Sequence, residues 1–227
     1  PWDALQADVV IDATGRFLTR EKLALHLESG AGRVFLTRNP KNDIDRYVIP
    51  GINESSISAS DKIISTTSST TQVLALMVKM LDEAFGLQRA MMTTVHAYTA
   101  DQPLADAVGA DLRRSRSAVE NIIPNTTKAP DLVKKIMPQY EGKIEGIAFN
   151  VPVPNGSCVD LTTELERMPT IEEANQAIKS FSEVDLNGIV GYTSDPIVSS
   201  DVSGREKTMV FDEKATMITK DALLKTL

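Results

Sequence analysis

The chain has 227 residues, 42% of them hydrophobic, so it is long enough to bury the core of one or two domains. A net charge of −7, without a long block of Lys or Arg, argues against a nucleic-acid-binding protein. The longest apolar run, 73–78, is too short to span a bilayer, and a single cysteine excludes an internal disulfide framework. We therefore predict a cytoplasmic protein with no membrane segment, and its two histidines and one cysteine argue against a zinc site.

The first part of the chain alternates predicted strands with a helix. The strands are predicted at 7–14, 33–37, 46–50 and 62–65. Thr19 is a candidate N-cap for a helix over 22–27. Strand–helix–strand order favours a parallel sheet. Gly30-Ala-Gly32 ends a helix and precedes a strand, which is the reverse of the order in a dinucleotide-binding glycine loop. Residues 1–68 are thus predicted to be the second half of a Rossmann-like nucleotide domain, within a polypeptide that extends upstream of Pro1.

The second part, residues 69–227, predicts an α+β catalytic domain with a mixed sheet. Helices are predicted at 71–85 and 131–137, and after Thr170, whose spacing from Glu173 predicts a capping box. Strands are predicted at 90–98, 144–153, 158–166, 188–192, 197–200 and 208–211. Residues 101–128 form a polar, basic stretch without a predicted element.

Two segments suggest chemistry. Residues 62–72 run from an apolar strand through a hydroxyl-rich turn into a helix, so Ser69 lies where free N–H groups and the helix dipole favour an anionic nucleophile. His96, in the strand that follows, is a candidate base. A helix cap for Ser69 and a structural role for His96 are the alternatives. His26 and Cys158 are interpreted as structural residues.

Several segments, in this order and spacing, resemble the phosphorylating glyceraldehyde-3-phosphate dehydrogenases of bacteria, with erythrose-4-phosphate dehydrogenases as near relatives. The segments are Asp12–Phe17, Thr93–Thr99, Asp111–Arg116, Asn121–Pro124, Val159–Leu161 and Gly188–Tyr192. The resemblance implies oxidation of an aldehyde sugar phosphate in glycolysis or sugar metabolism, with NAD as cofactor and inorganic phosphate as second substrate. It also implies a homo-oligomer, a tetramer in the family.

The resemblance also assigns roles to residues. Ser69 stands at the position of the catalytic cysteine, and His96 at that of the histidine that activates it. The positions that bind phosphate groups are Ser68, Thr70, Thr99, Arg114, Thr127 and Lys128. The positions that contact the cofactor are Thr14, Gly15 and Thr37.

This sequence departs from the family pattern in several places. Thr66 and Gln72 replace the asparagines that begin and end the nucleophile motif, and Asn150 replaces a phosphate-binding arginine. Thr127-Lys128 replaces a Thr-Gly pair, as in the erythrose-4-phosphate branch. The family's final helix, which carries an asparagine that binds the nicotinamide, is missing, so we expect an incomplete NAD site.

The change at Ser69 has a chemical cost. Cysteine titrates near pH ~8.5 and forms a thiolate, whereas a serine hydroxyl is far more basic and forms no resting anion. Three hypotheses stay open: an impaired dehydrogenase that uses Ser69 and His96, a catalytically silent member that acts as a binding or scaffold protein, and a weak Ser/His esterase.

Overall fold

The protein divides into two compact units, Pro1–Gln72 and Val73–Leu227. The structure, a computed structural model, describes residues 1–220 and 223–227. No helix among these residues is long and apolar enough to cross a membrane.

The first unit is built on a parallel sheet, as the sequence predicts. Its elements are β1 (Val9–Asp12), α1 (Arg20–Glu28), β2 (Arg33–Leu36), β3 (Arg46–Tyr47) and β4 (Ile63–Ser65), with strand order β1-β2-β4-β3. Every strand pair is parallel. Helix α1 begins two residues before the predicted start, at Arg20, and Thr19 is its N-cap as predicted, because the Thr19 hydroxyl accepts a hydrogen bond from the backbone N–H of Lys22. Leu23 of α1 packs with Val34, Leu36 and strand residues around them to form the core of this unit.

The second unit is built on a mixed six-stranded sheet, which confirms the predicted α+β organisation. Its strands are β5 (Leu87–Ala97), β6 (Ile123–Asn125), β7 (Ile144–Val151), β8 (Ser157–Leu165), β11 (Met217–Ile218) and β12 (Leu224–Thr226), in the order β11-β12-β8-β5-β7-β6. The central strand β5 pairs in parallel with β7 and antiparallel with β8.

Helices and a small second sheet complete this part of the chain. The helices are α2 (Ser69–Phe85), whose first turn belongs to the first unit, α3 (Ala129–Ile136) and α4 (Ile171–Glu183). Strands β9 (Val190–Thr193) and β10 (Met209–Asp212) form a parallel pair, and α4 contacts β9. The capping box of Thr170 and Glu173 is present with both of its hydrogen bonds.

Two of the predicted assignments are wrong. Residues 197–200 are not a strand, because Ser199–Val202 form a 3-10 turn in which the Asp201 carboxylate accepts from the backbone N–H of Val198. The polar stretch 101–128 contains β6, which includes Pro124. Proline is tolerated there because β6 is an edge strand of the sheet.

Candidate functional site

The turn between β4 and α2 presents Ser69. Ser69 is the first residue of α2 and is exposed. The neighbouring Ser68 makes the capping contacts, since its Oγ accepts from the backbone N–H of Thr71 at 3.3 Å and lies 2.8 Å from Thr71 Oγ1. The capping role considered for Ser69 therefore belongs to Ser68.

The backbone of this turn is strained at Thr67. Its φ of 64° is left-handed, a conformation that is a genuine outlier for a β-branched residue. The Thr67 N–H donates to Ser65 Oγ at 2.9 Å, and Gln72 Nε2 donates to the carbonyl of Thr66 at 2.6 Å. Such strain costs on the order of 1–3 kcal/mol and concentrates at functional sites. Thr66 and Gln72 are thus bonded to each other across the turn.

The three candidate cofactor residues gather around Asp12 at the carboxyl ends of β1 and β2. Asp12 Oδ1 accepts from the backbone N–H of Thr14 at 2.9 Å and from its hydroxyl at 2.8 Å. The backbone N–H of Thr37 donates to the Asp12 carbonyl at 3.1 Å. Gly15 has a left-handed φ of 70°, and a Cβ there would lie 2.9 Å from Arg38 Nη1. Asp12 thus organises this edge of the sheet.

His26 has the structural role that the sequence predicts. Its Nδ1 accepts from the indole N–H of Trp2 at 3.1 Å, so Nε2 carries the proton and donates to Asp12 Oδ2 at 3.1 Å. Burial by itself would raise the pKa of the Asp12 carboxyl, but hydrogen bonds from Thr14 and His26 lower it below its ordinary value. Asp12 is therefore a buried, ionised and fully bonded anchor for Thr14.

His96, near the end of β5, keeps one ring nitrogen available. Its Nδ1 lies 2.7 Å from the carbonyl of Ala97, and because a carbonyl only accepts, Nδ1 carries the proton. In the neutral ring Nε2 is then the nitrogen without a proton, and it can act as a base.

Asn150 supports the same carbonyl from β7. It is 7% exposed, its Nδ2 donates to the Ala97 carbonyl at 3.2 Å, and its Oδ1 accepts from Asn125 Nδ2 at 3.1 Å. The Asn150 amide therefore links β5, β7 and β6 beside His96.

Two of the candidate phosphate residues, Thr99 and Arg114, meet at one carboxylate. The Thr99 hydroxyl donates to Asp101 Oδ1 at 2.5 Å, and Arg114 Nη2 donates to Asp101 Oδ2. The N–H and hydroxyl of Thr99 also reach Gln102 Oε1, at 3.1 and 3.3 Å.

The structure does not gather the other candidates in the same way. Thr127 and Lys128 lie beyond β6, next to the start of α3, where the Thr127 hydroxyl accepts from the N–H of Ala129. Ser68 and the buried Thr70 belong to the first unit.

Cys158 is a poor substitute nucleophile. Burial, together with the nearby carboxylates of Asp160 and Asp212, raises the pKa of its thiol from 9.0 to about 11. Among residues 1–220 and 223–227, no group of three or more His, Cys, Asp or Glu is arranged to hold a metal ion.

Comparison with known proteins identifies the family. The model of the glyceraldehyde 3-phosphate dehydrogenase C-terminal domain matches residues 68–227. Glyceraldehyde-3-phosphate dehydrogenase 2 of Streptomyces avermitilis is 42% identical over 228 residues, covering 100% of this chain and 68% of that protein. The chain belongs to the glyceraldehyde-3-phosphate dehydrogenase family. Glyceraldehyde-3-phosphate dehydrogenase of Geobacillus stearothermophilus is 42% identical over 225 residues, covering 99% of this chain and 67% of that protein. Glyceraldehyde-3-phosphate dehydrogenase of Streptomyces coelicolor is 43% identical over 229 residues, covering 100% of this chain and 68% of that protein.

In this glyceraldehyde-3-phosphate dehydrogenase-family oxidoreductase, the sequence did not indicate the residues that hold the candidate site residues in place. Asp12 and Asp101 each bind candidate residues, and Gln102 holds the backbone of Thr99. The only sequence signal was position, since each aspartate lies two residues from the candidate threonine that it binds. The left-handed Thr67 has no sequence signal, because threonine rarely adopts that conformation.

Proposed function

We propose that this chain binds an aldehyde sugar phosphate and inorganic phosphate and oxidises the aldehyde with NAD, at a rate lowered by the serine at position 69. The observation that carries the proposal is the convergence of Thr99 and Arg114 on one carboxylate, just beyond His96 at the end of β5. A hydroxyl and a guanidinium that already hold one anion are suited to hold a phosphate group.

Thr14, Gly15 and Thr37 are the residues proposed to hold NAD, which supplies the hydride acceptor when bound. They fit this role because ligands of open parallel sheets bind at the carboxyl ends of the strands. Gly15 keeps this edge free of a side chain at a left-handed position. Asp12 would keep Thr14 in place through its two hydrogen bonds.

We assign the nucleophile role to Ser69 and the proton-acceptor role to His96, each on the geometry of its own unit. The exposed hydroxyl of Ser69 lies at the N-terminus of α2, whose dipole stabilises an anion by about 0.3–1 kcal/mol at an exposed position. Because one pKa unit corresponds to about 1.4 kcal/mol, the helix dipole does not bring a serine hydroxyl into the neutral range. We therefore expect Ser69 to react only when a base takes its proton, and slowly.

The test is NADH formation from glyceraldehyde 3-phosphate with phosphate present. We expect Ser69→Cys to be faster than the wild type, because a thiolate at a helix N-terminus is accessible near neutral pH. Ser68→Cys is the matched control: it adds a thiol one residue away, at the capping position, and should gain nothing. A wild-type chain as fast as Ser69→Cys would contradict the proposal.

Asn150 is proposed as a second cause of low activity. An arginine at this position would add a contact to the substrate phosphate and so hold the aldehyde in place. Because misplaced substrate costs on the order of 100-fold in rate, we expect the double variant Ser69→Cys with Asn150→Arg to form NADH faster than Ser69→Cys alone. Full activity from Ser69→Cys alone would remove the importance given to Asn150.

The two other hypotheses give distinct results in these assays. A silent binding member would bind phosphate but show no NADH formation, even with Ser69→Cys. A Ser/His esterase would hydrolyse p-nitrophenyl acetate, and both Ser69→Ala and His96→Gln would abolish that hydrolysis.

We also propose that the protein is a homo-oligomer in the cytoplasm. One face of the six-stranded sheet exposes apolar side chains, with Met91 64%, Val95 37% and Ile147 40% exposed. Exposed apolar patches of this kind mark protein interfaces. Light scattering should show a smaller particle for Met91→Lys than for the control Leu5→Lys, which changes another exposed apolar residue, in the first unit.

A further inference from the structure

Asp101 uses both of its oxygens on the two proposed phosphate donors. Oδ1 takes the Thr99 hydroxyl at 2.5 Å, and Oδ2 takes Arg114 Nη2. The side chains remain open to solvent, with 60% of Asp101 and 38% of Arg114 exposed. One carboxylate therefore engages the same hydroxyl and guanidinium that two oxygens of a phosphate group would engage.

The turn that carries Asp101 also holds an unused donor. Thr99 and Gln102 close the turn, since the N–H of Gln102 donates to the Thr99 carbonyl at 2.9 Å. Gln102 is 6% exposed, and because its Oε1 faces the N–H of Thr99, its amide nitrogen points away from that group. Within residues 1–220 and 223–227, Gln102 Nε2 has no hydrogen-bond partner. A buried donor without a partner calls for an acceptor, which the Asp101 carboxylate does not supply.

We propose that Asp101 sets the affinity of this site for anions: its carboxylate holds Thr99 and Arg114 until a phosphate group displaces it. The inference rests on the proposed function, because it takes Thr99 and Arg114 as the donors to phosphate. The displaced carboxylate stays close to the bound phosphate and repels it, which lowers affinity on the order of fivefold for each unit charge ~4 Å away in water.

This competition leaves small free anions weakly bound, because they have no other contacts to the protein. A free anion contacts only the Thr99 hydroxyl and the Arg114 guanidinium, and Asp101 already makes both of those contacts. Its binding therefore adds no new contact. A sugar phosphate gains more, because the rest of the molecule contributes contacts that Asp101 cannot replace. Asp101 therefore lowers the affinity for both ligands by a similar factor, and the ligand with further contacts is the one that still binds tightly.

The experiment measures binding of inorganic phosphate by titration calorimetry at fixed ionic strength. Asp101→Asn keeps a carbonyl oxygen of similar shape but removes the charge, and we expect it to bind phosphate on the order of five- to tenfold more tightly than the wild type. Asp106→Asn is the matched control, because Asp106 lies in the same segment and pairs with Arg116 at 2.9 Å. It makes the same change in net charge but contacts neither Thr99 nor Arg114, so we expect it to tighten phosphate binding less than Asp101→Asn does. Equal or weaker binding by Asp101→Asn would overturn the inference.

Arg114→Ala separates this inference from the proposed site. If Arg114→Ala loses phosphate binding while Asp101→Asn does not tighten it, the anion site stands and only the role of Asp101 fails. If Arg114→Ala binds as the wild type does, or if no variant binds phosphate, the proposed phosphate site is wrong. Thermal unfolding of each variant, followed by circular dichroism, confirms that the binding changes occur in a folded protein.

Discussion

Replacing Asn150 should reveal how much the end of β5 depends on one amide. Asn150→Ala removes two buried hydrogen bonds, one to the Ala97 carbonyl and one from Asn125. The Ala97 carbonyl still accepts from His96 Nδ1, and the half-buried Asn125 can turn to solvent, so neither partner is left unsatisfied. At about 1 kcal/mol for each bond, the free energy of unfolding should fall by about 2 kcal/mol.

Asn150→Asp provides the sharper comparison. It is nearly isosteric and can still accept from Asn125, but it places a carboxylate oxygen against the Ala97 carbonyl. Burying a charge beside another acceptor should cost more than the alanine change, although the aspartate is closer in shape to asparagine. A purely steric role for Asn150 predicts the opposite order.

The assay is urea unfolding followed by far-UV circular dichroism, at pH 7. Asn155→Ala serves as the control, because Asn155 is exposed in the loop between β7 and β8 and should change stability by less than about 1 kcal/mol. If Asn150→Ala changes the free energy of unfolding by no more than Asn155→Ala, the bridging role given to Asn150 is wrong. The Asn150→Arg variant loses the same two hydrogen bonds. Its activity should therefore be compared with that of the wild type only under conditions in which its unfolding curve shows a folded protein.

Three further predictions concern the rest of the chain. The thiol of Cys158, whose pKa is raised from 9.0 to about 11, should hold roughly 100-fold less thiolate at pH 8 than an unperturbed thiol, so iodoacetamide should modify it about that much more slowly. Thr170→Ala should lower the free energy of unfolding by about 0.5–2 kcal/mol through loss of the capping box, whereas an exposed residue such as Thr126 should tolerate alanine. Burial by itself would raise the pKa of Asp45, but hydrogen bonds from two backbone N–H groups and an arginine lower that pKa in the folded protein. The contribution of Asp45 to stability is therefore complete above the pKa of the unfolded chain and is lost as the pH falls through the pKa of the folded protein. Fluorescence of the single tryptophan, Trp2, should show acid unfolding below pH ~4. Asp45→Asn should weaken that pH dependence. An acid transition that Asp45→Asn leaves unchanged would contradict the role given to Asp45.

Much of the fold could be predicted because it depends on local patterns. The caps at Thr19 and Thr170 involve residues three apart, so their sequence spacing contains the whole interaction. The strands of the first unit are short apolar runs, and their alternation with α1 allows few arrangements other than a parallel sheet. Strand β6 was missed because Pro124 argues against a strand unless the strand lies at an edge, and edge position is a property of the whole sheet.

The site was less predictable for a related reason. The sequence indicates Thr99 and Arg114, but the carboxylate that joins them lies 13 residues from Arg114 across an irregular stretch, and such contacts leave no periodic trace. The strain at Thr67 was equally hidden, because residue type alone argues against a left-handed threonine. The sequence therefore indicates the residues to which we assign the proposed chemistry, but not those that position them.

The two carboxylates that position these residues differ in exposure, and exposure decides what each can do. Asp12 is 2% exposed and accepts from Thr14 and His26, so breaking its contacts would leave a buried charge without partners, at a cost of about 3–5 kcal/mol. The Asp101 side chain is 60% exposed, and an ion pair in that setting is worth only about 0–1 kcal/mol, because water replaces each partner. A ligand can therefore displace Asp101 from Arg114 at little cost, whereas Asp12 must stay in place whatever binds beside it. The same residue type thus serves as a fixed support in one unit and as an exchangeable group in the other.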